Sequence, residues 1–361
     1  VKPLKLSLFW ILQLAIVFGL VEAACYFFLK TSTNPLYRAR RILQENEIWG
    51  WQTKPFLNTE FENTRVITDR FGFRAETKEV TDLEKVELLT LGPSSAFGWG
   101  VSAEETYTAI VAKELNSPYL NASQIGFSTL QGLLLWQNLL QNELPNLKYV
   151  ILSYGINDLD KFRFYDLSFS DDLSYFKNRS KDHGAGSFGS SLNVATTLEL
   201  FKSEAFLQRN CSSLADINQR LTLQNSKLVL KNLINELRKR NVKVIVVNSP
   251  YQRMPVNKDF KYETVEKLYA ETEQAAASGN CEAAFENLKN AKSLEPWRVE
   301  YDVVMLSILQ ESLSKEENLI FVDAHAEFEK LPDQKDYFID PVHPSASGHN
   351  LIAKDILSRI K

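Results

Sequence analysis

Two short stretches far apart in the chain carry residue types that can perform nucleophilic chemistry together. Near position 90 an apolar run containing Leu88, Leu89 and Leu91 stops at Gly92-Pro93-Ser94-Ser95, and the text that follows reads as a helix up to Leu115. A serine at such a bend stands at the carboxyl end of a strand and close to a helix start, where backbone N–H groups can hold an oxyanion. Residues 337–349 read YFIDPVHPSASGH, which sets Asp340 three positions before His343 and just ahead of a last helix. A carboxylate so placed can orient an imidazole, and the imidazole can take a proton from a serine elsewhere in the fold. Taken alone, Ser94 reads as a turn serine held by local hydrogen bonds. The aspartate and histidine are what make it a candidate nucleophile.

Two more stretches fall between these. Gly126, in NASQIGFST, closes a short strand pattern over 119–125, and Gly155-Ile156-Asn157-Asp158 follows YVILSY, a run that reads as a buried strand. In chain order, Gly92-Pro93-Ser94, Gly126, Gly155-Ile156-Asn157-Asp158 and Asp340-Pro341-Val342-His343 resemble the four blocks of the SGNH hydrolases of the GDSL-like lipase and esterase superfamily. The resemblance runs over about 66–361, with interruptions. It implies a three-layer α/β/α flavodoxin-like fold around a central parallel sheet of about five strands, with the functional loops at one sheet edge. It also implies roles. Ser94 is the nucleophile, His343 the base and Asp340 its orienter, while the Ser94 and Gly126 N–H groups and the Asn157 amide form the oxyanion hole. Neither a metal nor an organic cofactor is called for.

Where the family has aspartate before the serine, this chain has Pro93. Proline fixes its own φ, removes one N–H and biases Gly92 toward extended geometry, so it alters hydrogen bonding in the turn and leaves the hydroxyl in place. The expected activity is hydrolysis of a small acyl ester or an acylated glycan through an acyl-serine, carbohydrate deacetylation included. Two alternatives stand beside it. The same acyl-serine can pass its acyl group to a sugar hydroxyl of an envelope polysaccharide, or the chain is a membrane-anchored binding or assembly protein with weakened catalysis.

The rest of the sequence has to position these residues. The chain of 361 residues is 44% hydrophobic, enough for a full core with additions, and its net charge of −4 provides no basic footprint for nucleic acid. Residues 6–29 contain Glu22 as their single charge. As a helix they would be about 36 Å long against a hydrocarbon core of roughly 30 Å, so they read as a transmembrane anchor, with a cleaved signal peptide as the weaker reading. Lys2 and Lys5 precede this span and Lys30, Arg38, Arg40 and Arg41 follow it, so charge does not set its orientation. The resemblance to anchored relatives places the catalytic domain on the extracytoplasmic side.

Residues 30–85 form a juxtamembrane lead-in, in which Trp49 and Trp51 read as packing residues or interfacial anchors rather than ligand contacts. The hydrolase domain, 86–361, carries two interruptions. Residues 159–226 are poorly patterned and hold a glycine- and serine-rich stretch with His183, a loop that can wall the site. Residues 258–318 read as about three helices, and Gly279, Ala284, Leu288, Ala291 and Pro296 fall at the spacing of a tetratricopeptide repeat. That TPR-like segment is either a docking module for a protein partner or a helical hairpin packed on the body. Cys25, Cys211 and Cys281 are too scattered for a disulfide framework or a zinc site, with a Cys211–Cys281 bridge left open. Of the remaining histidines, His325 and His349 read as structural.

Overall fold

The apolar runs that read as buried strands form the parallel half of one sheet. The computed structural model describes residues 2–31, 42–77, 82–159, 211, 214 and 222–360. Within them β1 (Leu43–Asn46) and β2 (Gly50–Thr53) make a separate ribbon, and β3 (Asn58–Phe61), β4 (Thr64–Thr68) and β5 (Arg74–Ala75) follow. Next come β6 (Leu88–Leu91), β7 (Tyr119–Asn121), β8 (Tyr149–Leu152), β9 (Lys243–Asn248) and β10 (Ile320–Asp323). The main sheet has eight strands in the order β10-β9-β8-β6-β7-β5-β4-β3. Strands β6 to β10 are mutually parallel, which is the expected five-stranded part, in the doubly wound order whose switch point lies between β6 and β8.

Burial on both faces explains why these strands are continuous apolar runs: all four residues of β6 are buried. Leu89, Leu91, Val150, Leu152, Val244 and Val246 face one layer, where α4 (Thr129–Leu135) and α5 (Leu223–Arg238) contribute Leu133, Leu134, Leu233 and Ile234. Leu88, Ile151, Ile245, Val247 and Val322 face the other, where α3 (Tyr107–Leu115) and the C-terminal helix, Ala346–Ile360, contribute Tyr107, Val111, Ile352 and Ile356. The result is an α/β fold of three layers around a mostly parallel sheet.

The lead-in does more than approach the domain. β5 pairs antiparallel with β7 through Arg74 and Asn121, and β4 and β3 continue outward, so part of 30–85 lengthens the sheet from five strands to eight. The hairpin between β3 and β4 turns on Glu62 and Asn63, with φ of 51° and 59°, the geometry of a tight primed turn. These strands are short and half-exposed, so no apolar run announces them.

The helical insertion also differs from expectation. In place of three helices there are two, α6 (Tyr262–Ala277) and α7 (Cys281–Glu316), and α7 runs through Pro296 without a break. The proline that would close a repeat's second helix lies inside α7, and a tetratricopeptide-like insertion is not shown. A proline inside a helix costs about 3 kcal/mol, and strong contacts flank this one. Arg298, buried to 1% exposure, binds Asp302 at 2.5 Å and Glu295 on the same helix, and Glu295 also accepts from Tyr269 of α6 at 2.7 Å. The bridge left open by the sequence is formed: Cys211 and Cys281 are disulfide-bonded, which ties residue 211 to the start of α7.

At the N-terminus, α1 (Lys2–Thr31) is a 30-residue helix. The expected membrane crossing is not shown: among the described residues, no helix is long and apolar enough to cross a membrane. The described α1 side chains are Trp10 and residues 13–27, and Trp10, Leu14, Ile16, Val17 and Leu20 are all exposed. Of the 159–226 insertion, residues 160–210, 212–213 and 215–221, with His183, lie outside the described residues.

Candidate active site

Strand β6 ends at Leu91, and the chain turns at Gly92. A Cβ there would lie 2.6 Å from Ala96 Cβ and 3.1 Å from the Ser153 carbonyl oxygen, so only glycine fits between the Ser94 turn and β8. Pro93 caps a single helical turn, α2 (Ser94–Phe97), and its carbonyl accepts the Ala96 and Phe97 N–H groups at 3.1 and 2.9 Å. The turn thus forms without the aspartate of the family pattern. The longer helix expected directly after Ser94 is not there. Gly98 (φ 87°) ends α2, and α3 begins only at Tyr107.

From the other end of the chain, β11 (Phe338–Asp340) and β12 (His343–Pro344) form a short antiparallel pair that returns His343 beside Asp340. The imidazole Nδ1 lies 2.7 and 2.9 Å from the two Asp340 carboxylate oxygens, and Nε2 lies 2.8 Å from Ser94 Oγ. Asp340 Oδ1 also accepts the Val342 and His343 N–H groups, each at 3.0 Å. Burial pushes the Asp340 carboxyl up, but the hydrogen bond and charge of His343 and those two N–H groups outweigh it and hold it below the ordinary carboxylate range. An ionised carboxylate on Nδ1 directs the lone pair of Nε2 toward the serine. Ser94 and His343, 249 positions apart in the sequence, are in direct hydrogen-bond contact, with Asp340 on the far side of the imidazole.

The other two blocks arrive at the same edge. Just past the strand ends, Gln124 N–H donates to the Gly92 carbonyl at 2.9 Å and Ser153 N–H to the Leu91 carbonyl at 3.0 Å, which locks the loops after β7 and β8 onto the Ser94 loop. Gly126 has φ 75°, a left-handed conformation that favours glycine, and Trp51 packs against it while donating from Nε1 to the Ile125 carbonyl at 2.8 Å. Asn157 is buried, and its Nδ2 donates to the Phe127 carbonyl at 3.0 Å. One amide hydrogen is used in that bond, and the amide carries two. Gly126 and Asn157 are thereby joined through Phe127, and both belong to loops bonded to the Ser94 turn.

Several supporting residues were not visible as such in the sequence. Fully buried Asp158 accepts from Thr129 N–H and Oγ1 at 2.7 and 2.5 Å and from Ser226 Oγ at 2.5 Å, so it ties the third block to the starts of α4 and α5. Helix α7 holds the same loop at both ends: Gln310 Nε2 donates to the Tyr154 carbonyl at 2.7 Å and Arg298 Nη1 to the Leu159 carbonyl at 3.1 Å. Trp99 stacks on His343, with ring centroids 4.9 Å apart and planes 11° from parallel. The signal that could have found it is Gly98-Trp99-Gly100, an aromatic residue between two glycines just past Ser94.

His349 and His325 take structural positions, as expected. His349 lies in α9 (Ala346–Ile360), fully buried, and its Nδ1 accepts the Tyr107 N–H at 3.2 Å. His325 lies in α8 (Ala324–Glu329), and its Nδ1 accepts the Tyr251 N–H at 3.4 Å. Trp49 and Trp51 are both buried packing residues.

No curated protein sequence matches the chain. Among solved structures, an acetylxylan esterase from Geobacillus stearothermophilus has a TM-score of 0.39 at 15% identity, over 78% of this chain and 96% of that one. A catalytic mutant of the same esterase gives 0.42 at 15% identity, with 78% and 96% covered. A member of the lipolytic G-D-S-L family from Veillonella parvula gives 0.39 at 13% identity, over 76% and 97%. A sequence profile of the GDSL-like Lipase/Acylhydrolase family matches residues 90–351, a span that holds every block of the site. The chain belongs to the GDSL-like lipase/acylhydrolase family and is a hydrolase of ester bonds.

Proposed function

We propose that the chain hydrolyses acyl esters through an acyl-enzyme on Ser94. His343 takes the Ser94 proton as Oγ attacks the ester carbonyl, and Asp340 holds the imidazole and faces its positive charge. The Ser94 and Gly126 N–H groups and the second amide hydrogen of Asn157 receive the oxyanion. His343 returns the proton to the leaving alkoxide, then deprotonates a water that attacks the acyl carbon, and gives that proton to Ser94 Oγ as the acid leaves. The observation that carries this reading is the Ser94–His343–Asp340 chain of hydrogen bonds, 2.8 and 2.7 Å long.

The substrate class is a small acyl ester or an acylated glycan. Hydrolysis of p-nitrophenyl acetate and release of acetate from acetylated oligosaccharides test it: the parent is expected to turn over and Ser94→Ala to fall to background. Turnover by Ser94→Ala equal to the parent would remove the reading. Transfer to a sugar hydroxyl, the other fate of the same acyl-serine, appears in that assay as an acetylated acceptor in place of free acetate.

We also infer that residues 6–29 anchor the chain in a membrane, with 30–85 as lead-in and 86–361 as a catalytic domain on the extracytoplasmic side. The single charge in 24 positions and the exposed apolar side chains of α1 support the anchor. The Cys211–Cys281 disulfide supports an oxidising compartment.

A further inference from the structure

The loop that carries the nucleophile also carries the indole that lies on the base. Two glycines shape it. Gly98 has φ 87°, and a Cβ on it would lie 2.4 Å from Thr106 Cγ2; Gly100 has φ 75°, and a Cβ on it would lie 2.6 Å from Ile339 Cδ1. Side chains at these positions would be strained and would clash, so the sequence Gly-Trp-Gly permits the bend that turns Trp99 back over His343. The bend is held from both sides. The Trp99 N–H donates to the Ser94 carbonyl at 3.1 Å, and Arg74 Nη2 donates to the Val101 carbonyl at 2.8 Å. Phe61, at the end of β3, packs edge-on against the indole at 4.8 Å and 84°. Part of the lead-in extension of the sheet therefore backs the ring that touches the base.

Two hydrogen bonds fix the imidazole within its plane, one at each nitrogen, and neither resists tilting out of that plane. A stacked aromatic does. It also presents its electron-rich face to the charge that the imidazole gains on protonation. We infer that Trp99 is a positioning residue for the base: it keeps the His343 ring in the plane joining Ser94 to Asp340 and stabilises the imidazolium formed during acyl transfer. This rests on the acyl-serine reading above.

The test uses the full-length protein, with Trp99→Leu and Trp99→Phe compared with the parent. With p-nitrophenyl acetate, Trp99→Leu is expected to lower kcat about tenfold with KM within about twofold. The acid limb of its kcat/KM profile should change as well, since the ring is no longer held in the plane of its two hydrogen bonds. Trp99→Phe should fall between the two. A second readout does not depend on turnover: the downfield proton resonance of the His343–Asp340 hydrogen bond, identified by its loss in His343→Gln, should persist in the parent and in Trp99→Phe and broaden away in Trp99→Leu. If the parent showed no esterase activity, that resonance would still decide whether Trp99 positions the His343 ring, while the acyl-serine reading and the imidazolium role that rests on it would fall. If Trp99→Leu did not fold, Trp99→Phe would decide it by its intermediate kcat and limb. A raised KM with unchanged kcat, pH limb and resonance would make Trp99 a substrate contact, and no change in any of them would remove its role.

Discussion

Asn157 is the site residue with the least obvious task, because an asparagine after a strand is ordinarily a turn former. Its burial and its bond to the Phe127 carbonyl fix the amide beside the Gly126 loop, so its second hydrogen is held in place before substrate arrives. Preorganised donors act mainly on the transition state, so Asn157→Ala should cut kcat on p-nitrophenyl acetate by about 10²-fold and leave KM nearly unchanged. A variant as active as the parent would take Asn157 out of the oxyanion hole. At this scale the site was largely legible: Ser94, Asn157, Asp340 and His343 carry their chemistry in their side chains and stand at local spacings that a linear reading detects. Trp99 was not legible as a partner of the site, and Asp158, though part of the third block, was not legible in the contacts it makes. Their roles come from what they touch, and Trp99 reaches His343 across 244 positions only because Gly98 and Gly100 bend the loop.

Among the elements, the parallel strands were the easiest to read and the short ones the hardest. β6, β8 and β9 are apolar because helices cover both faces, whereas β3, β4 and β5 are short and half-exposed and join the sheet by backbone pairing, which no side-chain pattern records. Helix lengths failed for related reasons: Gly98 stops α2 after one turn, and tertiary contacts carry α7 through Pro296. The seam between α9 and α3 yields a stability prediction. Burial, with the nearby charges of His343 and Arg74, pulls His349 down from 6.5 to about 3. Between those values the unfolded chain takes up a proton that the folded chain refuses, so this contribution is intact above about pH 6.5 and is lost as pH falls, at up to about 1.4 kcal/mol per pH unit. Burial pulls His325 down as well, which acts in the same direction. The depressed Asp340 adds a loss of its own only below the ordinary carboxylate value of 3.8. Unfolding free energy should therefore decline between pH 6.5 and 4, and His349→Asn, which keeps an acceptor for the Tyr107 N–H, should flatten the decline by about one proton. An equal slope in the variant would show that His349 is not the group responsible.

For the whole molecule, one chain combines an apolar N-terminal helix, an ester hydrolase and a helical hairpin tied to residue 211 by a disulfide. Closing a loop of 70 residues removes about 4 kcal/mol of unfolded-state entropy on a chain-entropy account, so the bridge matters for the hairpin as well as for the compartment. If the chain is anchored with its domain in an oxidising compartment, it should stay with membranes through an alkaline carbonate wash. Thiol labelling after denaturation should then count one free cysteine, Cys25, before reduction and three after. Release by carbonate would contradict the anchor, and three thiols before reduction would contradict the compartment. The most direct test of the central claim is reaction of the full-length protein with a fluorophosphonate probe, with the adduct located by peptide mass and with Ser94→Ala and His343→Ala run alongside. The predicted result is one adduct, on Ser94, absent from Ser94→Ala and strongly reduced in His343→Ala. A folded parent that carries no adduct, or carries it on another serine, would contradict an acyl-enzyme at Ser94.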